Sequence, residues 1–197
     1  MNSDDDLRIA ELADALIQSR RHIGPRHLVE PAPDEGQLRE LFTAAAAAPD
    51  HERLRPWRFL VLGPSARERL AECFAHALRE RDADAALDQV AQAREKAFRA
   101  PVLILAIADL RAEQPDVPPF ERLVSLGCAI QNLLLAAQAR GFASGLSSGR
   151  ALQSAVLRQT FGVHEGEQAL CFISLGTATR VKQARGRPAV DEFVAWI

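Results

Sequence analysis

Residues 101–110 read PVLILAIADL, an apolar run with no charge before Asp109. A strand with one wet face alternates polar and apolar residues, so an unbroken apolar run predicts a strand covered on both faces. The chain must therefore supply a layer on each side of a sheet. A long helix comes next at 121–141, ERLVSLGCAIQNLLLAAQARG, with Leu123, Leu126, Ile130, Leu133, Leu134 and Ala137 at helical spacing. Gly127, Cys128, Ala129 and Ala136 fill its other faces, so it is expected to be buried nearly all round, with Gly141 at its C-terminal cap.

The remaining pattern is read in the same way. Ser3 and the aspartates Asp4, Asp5 and Asp6 suit the start of a helix over about 4–19, and Gly24-Pro25 breaks regular structure shortly after its end. A second helix is expected from Pro33-Asp34 to Ala48, where Pro49 cannot continue it. RFLVLG at 58–63 reads as a buried strand, and 64–99 as two helices broken near Asp82 to Asp84. SGLSSG at 144–149 reads as a glycine–serine loop, 151–161 as a helix, and ALCFISLG at 169–176 as a final strand before a basic tail. Helices interrupted by few strands give an α+β chain, an α/β sandwich in which a small sheet is flanked by helices around a long central one.

Composition narrows the function. The 197 residues are 48% apolar and 25% charged with a net charge of −2, which suits one globular domain and gives no field for nucleic acid or a membrane surface. Cys73, Cys128 and Cys171 are odd in number and lack metal or CxxC spacing, so they read as small buried hydrophobes in a reducing compartment. With an acidic, amphipathic N-terminus and no apolar run near the roughly 20 residues that span a bilayer, a cytoplasmic protein is expected.

Two basic clusters stand out: Arg20, Arg21 and His22 with Arg26 and His27, and Arg180, Lys182, Arg185 and Arg187. They are either solvated surface or a phosphate-ester site, because arginine forks match phosphate oxygens bidentately. The His22–His27 spacing around Gly-Pro matches no metal pattern. SGLSSG is either a plain connector or a segment whose bare backbone approaches a cofactor. No nucleophile-plus-base signature is present, which points to a cofactor that carries the chemistry itself.

In order, the double arginine after the first helix, APDHERLRPWRF (48–59), FRAPVLILAIA, GCAIQNLLLAAQARGFASG and FISLGT resemble the nitroreductase family of FMN flavoproteins. The resemblance spans roughly residues 7–180 and is to the small bacterial subgroup with an Ala-Pro-Asp-His…Pro-Trp loop. It implies a mainly antiparallel sheet, and an intertwined homodimer with FMN at the subunit interface and residues 178–197 reaching onto the partner. Arg20, Arg21 and His22 match the segment that holds the phosphate and ribityl chain, with the tail cations Arg180 and Lys182 as further candidates. Asp50 and His51 match a loop given by the other subunit, and Gly145, Leu146 and Ser147 a segment over the flavin ring. Ala136 to Gly141 match a region assigned to the nicotinamide donor.

Three departures from the subgroup stand out: His22 replaces a serine, Ala47 an arginine, and Leu146-Ser147 a Trp-Arg pair. Arg53, Arg55 and Arg58 are the nearby cations available to compensate. The function implied is an NAD(P)H-dependent flavin oxidoreductase that passes hydride to a nitro, quinone or similar small-molecule acceptor, with no side-chain catalyst and no metal. The alternative is a flavin carrier or sensor with little turnover.

Overall fold

The computed structural model describes residues 3–111, 117–180 and 186–197. In chain order the elements are α1 (Ser3–Ser19), β1 (Leu28–Val29), α2 (Glu35–Ala45), β2 (Trp57–Val61), α3 (Pro64–Arg81) and α4 (Leu87–Glu95). β3 (Val102–Asp109), α5 (Pro119–Ala139), β4 (Ala143–Ser147), α6 (Ala155–Thr160) and β5 (Glu167–Ala178) complete them. Short 3-10 turns cover 25–27, 51–53, 96–98, 150–153 and 190–192.

The apolar run becomes β3, flanked by β2 on one edge and β5 on the other. β5 pairs with β3 from Val102↔Leu175 to Asp109↔Glu167, with an irregularity between Ala106 and Ile107. The other edge of β5 takes β4 and then β1, and all four strand pairings are antiparallel. Ile104, Ala106 and Ala108 face α2 and α5, while Leu103, Leu105 and Ile107 face α3 and α6. Both faces of β3 are dry, as the sequence required.

Local differences from the sequence pattern have local causes. α2 begins at a capping box between Asp34 and Gln37 and ends at Ala45. Ala46, Ala47 and Ala48 form turns instead of helix, because Pro49 excludes helical geometry just before it. The 144–149 stretch is not a loop: its first four residues pair with β5 as β4. The helix expected at 151–161 divides into a 3-10 turn and α6, with the Ser154 side chain accepting from Leu157 N at 3.4 Å between them. α5 is not buried all round, since Phe120 and Val124 are 65% and 62% exposed. Its 21 residues are long and apolar enough to cross a membrane, but its packing on α2 and the sheet accounts for that composition.

Two arginines join the layers. Arg67, buried and with no carboxylate partner among the described residues, donates to the carbonyls of Leu62 (3.0 Å), Ala97 (3.3 Å), Ala100 (2.5 Å) and Pro101 (2.6 Å). It ties the start of α3 to the turn before β3. Arg58 donates from Nε and Nη2 to Glu167 at 2.9 and 2.7 Å, and its Nη2 also reaches Gly162 O. The Arg58 hydrogen bonds hold the Glu167 carboxyl below its ordinary value, against the opposing effect of burial. Such a group stabilises the fold above its unfolded pKa, about 4.3, and that contribution is lost as pH falls through the lower folded value. Glu167→Gln should therefore lower stability by about 2 kcal/mol at pH 7, with Arg58 one-third exposed and so partly screened. The difference from the unaltered chain should shrink below about pH 4 in denaturant titrations. An equal difference under acidic and neutral conditions would contradict the ionic role.

Candidate functional site

The segment after α1 is laid along β4. Ile23 N donates to Ser144 O at 2.9 Å, and His22 bridges to Ser144 in parallel. Gly145 permits this approach, since a Cβ there would sit 2.0 Å from Ile23 O and 3.2 Å from His22 Cε1. The structure thus lays His22 and Ile23, at the end of the Arg20-Arg21-His22 segment, against Ser144 and Gly145 of β4.

The two basic clusters also converge. Thr179 N donates to His27 O at 3.0 Å, and Arg180 Nη2 donates to His27 Nε2 at 2.9 Å. From the tail, Arg187 reaches Arg20 O at 3.4 Å. Arg20, Arg21, Arg26, Arg180 and Arg187 so gather at one end of the sheet with no ion pair to a carboxylate among the described residues. Lys182 and Arg185 lie outside the described residues.

Beside this cluster is a cavity of about 600 Å³, within the usual range for small-molecule sites. Arg26 and the C-terminal half of α3 form two walls, α4 and the 96–100 turn a third, and Ser147 to Leu152 a fourth. Phe74, Leu103 and Phe172 give it an apolar floor. Ser174 also lines it, fully buried, and its hydroxyl has no hydrogen-bond partner among the described residues. A buried hydroxyl without a partner costs roughly 1–3 kcal/mol, which a polar ligand in the cavity can offset. Planar apolar surface, an orphaned hydroxyl and adjacent cations fit a ring-bearing phosphate ester such as FMN. A smaller hollow of about 380 Å³ lies across Ser147 and Ser148, against α5 and Cys171. Burial pushes the Cys171 thiol up to about 11, so it stays protonated at neutral pH and is no nucleophile.

The loop at 50–56 lies elsewhere. Glu52, Arg53 and Arg55 have positive φ (54°, 58° and 46°), a strained path held by Asp50 Oδ2 accepting from Arg55 N at 2.6 Å. His51 Nδ1 meets Glu121 at 2.9 Å in the first turn of α5, whereas Ser19, beside Arg20, accepts from Gln138 in its last turn. At 1.5 Å per residue these points stand about 25 Å apart. One chain therefore does not bring Asp50 and His51 to Arg20. Ala47 is exposed near that remote loop, and Arg58 is committed to Glu167, so it does not replace the missing arginine. Trp57 belongs to the core, stacked near Phe59 and donating to Ser125 Oγ at 3.1 Å. Ala136 to Gly141 form the end of α5 and do not line the cavity. Sequence reasoning missed Ser174 and the 96–100 turn, since a lone serine in an apolar strand and a helix-end lysine carry no pattern.

The nitroreductase family model matches residues 17–177. The chain belongs to that family. It is 37% identical over 163 residues to YdjA of Escherichia coli (strain K12), provisionally named an NAD(P)H nitroreductase, covering 82% of this chain and 86% of YdjA. A nitroreductase-like protein of Bacillus cereus has the same fold, with a TM-score of 0.80 at 20% identity over 93% of this chain and 94% of its own. The FMN-dependent nitroreductase NfnB of Mycobacterium smegmatis, solved with NADPH, superposes with a TM-score of 0.72 at 24% identity, over 96% and 99% of the two chains.

Gly145→Ala tests how the nitroreductase site is assembled. The added methyl should force the 20–23 segment off β4 and lower stability by about 1–3 kcal/mol. A thermal midpoint equal to that of the unaltered chain would show that this close approach is not required.

Proposed function

We propose that this nitroreductase is a cytoplasmic FMN-dependent NAD(P)H oxidoreductase acting on nitro, quinone or similar acceptors, as a homodimer with FMN between the subunits. The observation that carries the reading is that the chain segments bearing Arg20, Arg26 and Arg180 meet, with no carboxylate partner for these cations among the described residues, and that Arg26 lines a cavity holding the unpartnered Ser174 hydroxyl. Unneutralised cations held together by backbone contacts call for a multivalent anion, and a phosphate monoester is one. The FMN and NADPH named for the Mycobacterium smegmatis protein support the choice of cofactor and donor. FMN held at Arg20, Arg21 and Arg180 would supply the hydride-transfer chemistry between donor and acceptor.

The chain's own residues bind and orient. Arg20, Arg21 and Arg180 hold the phosphate, Ser147 and Ser174 offer hydroxyls to a polar ring edge, and Phe74, Leu103 and Phe172 keep water from the apolar side. A second copy supports the rest of the reading. Leu7, Ile9 and Leu12 on α1, Phe120 and Val124 on α5, and Phe193 and Trp196 in the tail are all exposed apolar residues. A homodimer covers such surface, and a second chain supplies the Asp50–His51 loop that about 25 Å of α5 keeps from its own Arg20. In this reading the chain is one domain whose tail, 178–197, lies on the partner.

The purified protein should show an oxidised-flavin spectrum that NADPH or NADH bleaches, and a stable FMN complex that is not bleached would favour the carrier reading. Arg20→Ala should weaken FMN by about one to two decades, the loss of one charge-assisted bond worth roughly 1.5–3 kcal/mol, with little change in folding. Fluorescence titration of the apoprotein measures it; an unchanged Kd would move the phosphate away from Arg20. Light scattering at micromolar concentration should give twice the chain mass, and a folded monomer would rule out the shared site.

A further inference from the structure

Arg26 is the member of the convergent cluster that lines the cavity, and the cavity wall carries further charge without an ion pair among the described residues. Arg81 stands in the last turn of α3, Lys96 in the turn after α4, and Arg150 in the 3-10 turn after β4. All three line the cavity, all are exposed at its mouth, and none is in an ion pair among the described residues. Arg99, also on the wall, is already engaged by Glu95 at 3.5 Å. Asp82 is the one carboxylate among the lining residues, and Gln89 and Gln92 add amide donors along α4. Three elements from separate parts of the chain thus place like charges around one opening. Mutual repulsion makes that arrangement unfavourable by itself, and the entry of a dianion makes it favourable.

We propose that Arg81, Lys96 and Arg150 select a hydride donor whose ribose carries a 2′-phosphate over the same donor without it. The inference rests on the flavin oxidoreductase reading and assigns its donor. The two nicotinamide nucleotides have the same ring, so selection must come from a charge remote from the hydride. A phosphate monoester near neutral pH is close to doubly charged, and arginine and lysine on short exposed turns can meet it without the strand core moving. The position of these groups at the mouth, outside the apolar floor, suits the far end of a long donor whose ring enters the cavity.

The test uses the FMN-loaded homodimer. Calorimetric titration should find adenosine 2′,5′-bisphosphate bound about tenfold or more tightly than adenosine 5′-monophosphate, and the preference should weaken as salt rises. In the double variant Arg81→Gln/Arg150→Gln this preference should vanish. The ratio of kcat/KM for NADPH to that for NADH should fall about tenfold, while the FMN Kd stays within about twofold. Equal binding of the two adenosine nucleotides by the unaltered protein, or an unchanged ratio in the variant, would overturn the inference. So would a loss that falls on FMN affinity, or one that follows a carboxylated over a neutral nitroaromatic acceptor. A protein that takes up no FMN at all sinks the oxidoreductase reading itself, a result distinct from a yellow enzyme that does not discriminate.

Discussion

The ladder between β3 and β5 is what everything else hangs on. Side chains from these two strands fill both cores, Ile104, Ile173 and Leu175 on one face and Leu105, Ile107 and Phe172 on the other. The ladder leaves the second edge of β5 free for β4 and β1. Because β4 is held there, the segment from Arg20 to Ile23 has an edge to lie on; because β5 runs on past Gly176, Arg180 emerges beside His27. The candidate site is therefore an edge-and-end feature of a rigid ladder. Such placement gives binding groups fixed positions without loosening the core.

Arginine does two kinds of work in this chain, separated by what each guanidinium meets. Arg67 and Arg58 are consumed by carbonyls and a carboxylate, and they join layers. Arg26, Arg81 and Arg150 line one hollow, and with Arg20 and Arg180 they meet no carboxylate among the described residues. Composition alone counts them together, and the modest net charge of −2 hides the local excess. Where a cation's partner is absent from the chain, the partner is sought outside it.

The apolar run from Pro101 to Ala108, unbroken before Asp109, required a two-sided core, since a strand with one wet face would alternate polar residues into it. Strand direction was a different matter. Double coverage is compatible with either orientation, and antiparallel pairing came from the family resemblance. The double arginine and Gly145 could be matched by position, but the reason for glycine, a carbonyl pressed against its Cα, is visible only with Ile23 in place. β4 was hidden because Ser, Gly and Ser have low strand preference and the pairing with β5 overrode it. The remoteness of His51 from Arg20 could not be read locally either. It depends on α5 standing as a straight spacer between two points 70 and 119 residues from their contacts.

Of the two arginine joints, only that of Arg58 is sensitive to acid. Arg58 is held through a carboxylate, so protonating Glu167 releases that corner of β2 and β5 and exposes the turn at Gly162. Arg67 grips only carbonyls, which do not titrate, and it stays charged throughout the range in which proteins are handled. Acid should therefore peel this molecule asymmetrically. The rim farthest from the basic cluster loosens first, while the hinge under Lys96 and Arg99 holds its shape into the early stages of unfolding.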